Sequence, residues 1–93
     1  MKTTEFNDVW DAIEGTPQEA ANMRLRSHLM MALSERIKQQ EWTQAEAATH
    51  LGVTQPRVSD LVRGKINLFA IDALVSMATS AGLQVEIGVK TAA

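Results

Sequence analysis

The 93-residue sequence has no cysteine and no tyrosine, only two prolines and five glycines, and aromatic side chains make up 4% of it. Without cysteine there is no disulfide framework and no thiolate zinc site, which fits a reducing cytoplasm. No run approaches the roughly 18 apolar residues of a membrane span, and the segment from Met1 to Asp11 lacks the shape of a signal peptide. A soluble, cytoplasmic chain with no membrane partner is expected. The parts of an enzyme are missing too. His28 and His50 stand apart from each other and from any metal-ligand spacing, no glycine loop could cradle a phosphate, and Ser59 has no evident partner base. No catalysis, no metal and no cofactor are expected.

Hydrophobic residues make up 45% of the chain, enough for one core. Net charge is only −2, but it is unevenly spread. Through Asn22, Lys2 stands against Glu5, Asp8, Asp11, Glu14 and Glu19. From Met23 to Ile66, Arg24, Arg26, Arg36, Lys38, Arg57, Arg63 and Lys65 outnumber Glu35, Glu41, Glu46 and Asp60. An acidic arm is thus followed by a basic middle, and binding to a charged partner depends on local potential rather than on the total.

Phe6, Val9, Trp10 and Ile13 fall at i, i+3, i+4 and i+7, a short helical stripe that Gly15 stops. Thr16-Pro17-Gln18-Glu19 reads as a helix start, with a threonine cap, proline in the first turn and a glutamate closing a capping box. Leu25, Leu29, Ala32, Leu33 and Ile37 continue one face of a long helix ending near Gln40. Thr43-Gln44-Ala45-Glu46 repeats the capping pattern, with Trp42 placed as a hydrophobic staple. Gly52 supplies a left-handed stop, Thr54 caps a third helix that tolerates Pro56 in its first turn, and Gly64 ends it. A last helix is predicted from about Leu68 to Ser80, closed by Gly82, and Met30, Met31 and Met77 are expected to fill core gaps. The tail changes period: Leu83, Val85, Ile87 and Val89 alternate with Gln84, Glu86, Gly88 and Lys90, which predicts a half-buried β-strand. The expected layout is a single domain, with an arm at 1–15, a helical bundle at 16–82 and a strand and tail at 83–93.

Residues 43–64 carry the function. Two helices can cross steeply over a short turn only with a small residue on the first, a residue free to adopt positive φ between them, and branched apolar residues on the second. Ala48, Gly52, Val58 and Leu61 meet these needs in order, and Leu51 and Val53 flank the glycine. That spacing is a helix-turn-helix. The stretch TQAEAATHLGVTQPRVSDLVRGKINLF resembles the motif of the Xre family, which includes phage repressors, Cro proteins and HigA-type antitoxins. FNDVWDAI and LQVEIGV, at the two ends, resemble a subgroup of small Xre proteins often encoded beside a RelE/HigB-like toxin. Pro56 departs from the pattern, standing where phage repressors commonly have glutamine.

The resemblance implies an all-α, lambda-repressor-like bundle of about five helices, to which the tail pattern adds one C-terminal β-strand. It implies a transcriptional regulator, a repressor that reads a palindromic operator in the major groove of double-stranded DNA as a homodimer. The alternative is an antitoxin that binds a cognate toxin and represses its own operon. Gln55 and Arg57 are the expected base readers, since their side chains can pair bidentately with adenine and guanine edges, and Ser59 is a less selective one. Thr54 lies at the edge of the groove. Gln44, at the start of the preceding helix, is expected at a phosphate, and Arg63, Lys65 and Asn67 resemble the family's backbone clamp. Asp60 could accept from cytosine or orient Arg57. The operator sequence, any small-molecule effector and the partner of the C-terminal strand stay open at this level.

Overall fold

The computed structural model describes residues 16–92. The arm with its stripe of Phe6, Val9, Trp10 and Ile13 lies outside the described residues. Among those described are four α-helices: α1 (Pro17–Gln40), α2 (Gln44–Leu51), α3 (Gln55–Val62) and α4 (Ile71–Ser80), with a single 3-10 turn, η1 (Ile66–Leu68), between the last two. Long α1 packs on α4, α3 and η1, while α2 packs on α3 and α4. Leu29, Met30, Leu33 and Ile37 of α1 meet Ala47 and Leu51 of α2, Val58 and Leu61 of α3, and Leu74, Met77 and Ala78 of α4 in one core. No helix among the described residues is long and apolar enough to cross a membrane.

The helix boundaries follow local chemistry. Thr16, Thr43 and Thr54 each accept from the backbone N–H three residues on, capping α1, α2 and α3. At Thr43 the capping box is complete, since Glu46 Oε1 also accepts from the Thr43 N–H at 2.8 Å. At Thr16 the glutamate bonds the threonine hydroxyl at 2.9 Å. All four helices stop in one way: a left-handed residue and its successor turn their N–H groups back onto carbonyls of the last turn. For α2 these are Gly52 to Thr49 at 3.3 Å and Val53 to Ala48 at 3.0 Å. Glycine fills this position after α2, α3 and α4, but α1 uses Glu41, at φ 56°.

Three expectations are corrected. Five helices and a C-terminal strand were expected, whereas the described residues hold four α-helices and no strand. Residues 83–90 take up no regular secondary structure. A strand requires a ladder partner, and the apolar half of this pattern is partly consumed by packing: Leu83 and Val85 lie half-buried against the helical core, while Ile87 and Val89 remain exposed. The last helix begins at Ile71 rather than near Leu68, because the chain first makes η1 and then turns Phe69 inward to 1% exposure. Leu68 is left exposed. Met30 and Met77 fill the core as expected, but Met31 is 66% exposed.

Candidate nucleic-acid interface

The turn between α2 and α3 is built as its sequence requires. Ala48 is buried at the crossing, Gly52 has φ +73°, and Val58 and Leu61 of α3 are sealed in the core. With about 100° between successive helical residues, burying Val58 and Leu61 directs Pro56, Ser59, Asp60 and Arg63 to the opposite side of α3. Gln55 and Arg57 fall on the two flanks. The first turn of α3 is open: Thr54, Gln55 and Pro56 are all exposed, and no acidic residue stands there.

The expected site residues fall into four groups. Gln55 and Ser59 lie on or beside the outward face of α3, with Thr54 at its start, although the Thr54 hydroxyl also accepts from Arg57 N at 3.4 Å. Arg63, the exposed C-cap of α3, stands near Lys65, and Asn67 is exposed in η1. Gln44 is the exposed first residue of α2, but the capping-box carboxylate of Glu46 already occupies that helix end. A phosphate there would meet a negative charge, so Gln44 is left to act through its side-chain amide. Arg57 is placed differently. It is half-buried, donates from Nη1 to the Leu68 carbonyl at 2.8 Å, and its guanidinium carbon lies 4.1 Å from the centre of the Phe69 ring. Asp60 does not orient it, being paired instead with Lys65 at 3.6 Å.

The basic middle of the sequence is therefore only partly a surface feature. Arg26 donates to the Ile66 and Phe69 carbonyls at 3.2 and 3.3 Å, and Arg36 Nε donates to the Ala81 carbonyl at 3.0 Å. Arg24, Lys38, Arg63 and Lys65 are exposed. Pro56, not among the expected contacts, shares the outward face of α3 with Asp60. The signal that places them was in the sequence: with Val58 and Leu61 inward, helical geometry turns residues 56 and 60 outward. His50, a solitary histidine in sequence, stacks on Trp42 at 4.0 Å with the rings 8° from parallel.

Two helices crossing at a left-handed glycine, the second with its first turn bare, define a helix-turn-helix protein. A family model described as a helix-turn-helix domain matches residues 14–90. A solved chain named "Putative XRE Family Transcriptional Regulator" is 30% identical, with a TM-score of 0.73, over 80% of this chain and 83% of its own. No curated protein matches the sequence. The chain belongs to the helix-turn-helix domain family, of the Xre type, and is a DNA-binding transcriptional regulator.

Proposed function

We propose that this regulator is a repressor that binds double-stranded DNA as a homodimer and reads a palindromic operator with the first two turns of α3. The observation that carries this reading is the exposed, acid-free N-terminal turn of α3, held proud of the core by buried Val58 and Leu61. Gln55 and Ser59 offer hydrogen-bonding groups to base edges, and Pro56 offers an apolar edge suited to a thymine methyl. Arg63, Lys65, Asn67 and the Gln44 amide serve the sugar-phosphate backbone, which fixes orientation without reading sequence. Two copies are needed because one short helix covers one half-site, and half-sites one helical turn apart require readers roughly 34 Å apart.

Titration of duplex binding against salt tests this directly. Each phosphate neutralised contributes about −0.9 to the slope of log affinity on log salt. The expected result is a negative slope for duplex DNA of the modest size that Arg63 and Lys65 of two chains can supply, much weaker binding to single strands, and two chains per duplex by light scattering. Equal affinity for single and double strands would refute it.

An antitoxin role is the second reading. It is supported by the exposure of Ile87, at 56%, and Val89, at 92%, on a tail that the core leaves half covered, together with the likeness of this tail to small antitoxins. Co-expression with the product of the adjacent reading frame tests it: a stable complex lost in Ile87→Asp/Val89→Asp supports it, and no complex refutes it.

A further inference from the structure

We propose that Arg57 and Arg26 are positioning residues that together clamp the loop after the recognition helix, so that Lys65 and Asn67 meet the phosphate backbone in register with α3. Arg57 is thereby removed from base reading. The proposal rests on the DNA-binding reading and specifies how its surface is assembled.

Two arginines from two different helices converge on one short loop. From α3, Arg57 gives Nη1 to the Leu68 carbonyl at 2.8 Å and lays its guanidinium face on Phe69. From α1, Arg26 reaches the Ile66 and Phe69 carbonyls, while its Nε is held by Asn22 Oδ1 at 2.7 Å. Three carbonyls within four residues are thus taken by guanidinium groups. The start of the loop is tied back to α3, by Lys65 N to Asp60 O at 3.1 Å and the Lys65–Asp60 ion pair, and Ile66 N bonds Gly64 O at 2.8 Å. η1 is a single turn with no side-chain cap, closed by Leu68 N to Lys65 O at 3.0 Å and Phe69 N to Ile66 O at 3.2 Å. Its apolar anchors are half-buried Ile66 and fully buried Phe69, the ring on which Arg57 lies.

Arg26 uses several N–H donors of one guanidinium, bonding Asn22 as well as two carbonyls, and at position 57 the selection of arginine is sharper. A planar guanidinium can stack on a ring and donate in its own plane at the same time, whereas an ammonium cannot do both. Position 57 is also on a flank of α3, beside the buried stripe, and the outward face belongs to Pro56, Ser59, Asp60 and Arg63. A side chain there that leaves its ring and carbonyl to reach a base would release the loop carrying Lys65 and Asn67. Reading and clamping are therefore alternatives for Arg57, and the observed geometry is the clamp.

Charge-conserving variants separate the two. Arg57→Lys and Arg26→Lys keep every charge but lose the fork. Each should speed amide hydrogen exchange at Leu68 and Phe69. Each should also weaken binding several-fold by the same factor on the operator and on its single-base variants. The salt slope should become shallower by up to about one unit, as in Lys65→Ala, although no charge has been removed. General destabilisation would not change that slope. The clamp is overturned if exchange at 66–69 is unchanged in both variants. It is equally overturned if Arg57→Lys alters preference at one base step, or if Arg26→Lys binds DNA like the unaltered protein. The exchange measurement needs no DNA, so a chain that bound no duplex would sink the DNA-binding reading and leave the clamp to be judged on its own.

Discussion

Glu41 ends α1 with φ 56°, a conformation that strains any residue with a Cβ by about 1–2 kcal/mol. Glycine relieves that strain but gives back about 0.5–1 kcal/mol in chain entropy. Glu41→Gly should therefore stabilise the protein by up to about 1.5 kcal/mol, raising the melting temperature by as much as a few degrees. A lower melting temperature would show that α1 ends otherwise. Gly52 gives the converse experiment. A Cβ there would meet only Ser80 Oγ at 3.6 Å, an ordinary contact, so what a Cβ costs at Gly52, and the least that Gly52→Val must lose, is a matter of backbone conformation. At least about 1–2 kcal/mol should be lost, with DNA binding weakened alongside, as read by thermal melting and duplex titration. Gly52 was legible in the sequence because glycine advertises a left-handed turn. Glu41 was not, because nothing in its chemistry does. Arg57 was half legible: its place in the helix could be read, but its destination depends on Phe69 turning inward, which a side chain six residues beyond Arg63 does not announce.

At the scale of the elements, the caps rank themselves by geometry. Thr43 accepts at 3.1 Å and is reciprocated by Glu46, whereas Thr54 accepts at 3.4 Å with no reciprocal bond from residue 57. Thr43→Ala should cost about 1 kcal/mol and Thr54→Ala about half that, measured by denaturant unfolding. The reverse order would mean that α3, not α2, depends on its cap. The three helices that threonines cap were legible because caps and stops are local. By contrast α4, with Ala70 before it and no side-chain cap, was legible in its end but not in its start. The tail was not, since alternation shows which side chains share a face but says nothing about a partner for the backbone. Leu83 and Val85 are half-buried on the core, and Leu83 N also bonds Ala78 O at 2.9 Å. A chain ending at Gly82 should thus lose roughly 1.5–3 kcal/mol, while one ending at Glu86 should melt nearly as the intact protein does. Equal melting of all three would mean that the tail contributes no packing.

Over the whole molecule, the basic middle of the sequence divides between structure and surface. Arg26, Arg36 and Arg57 are bound to backbone carbonyls, leaving Arg24, Lys38, Arg63 and Lys65 to shape the outer field. Few exposed cations in a chain of net charge −2 predict weak non-specific binding, so sequence preference must arise mainly from the bare first turns of α3. Selection of bound sites from random duplexes, run in parallel with the unaltered protein and with Gln55→Ala, tests this most directly. The account predicts a two-fold symmetric site with half-sites about 10 base pairs apart. It also predicts that Gln55→Ala relaxes preference at one base step per half-site and costs about 1–3 kcal/mol in affinity. Recovery of no preferred duplex, or of the same preference at every position after Gln55 and Ser59 are both replaced by alanine, would contradict it.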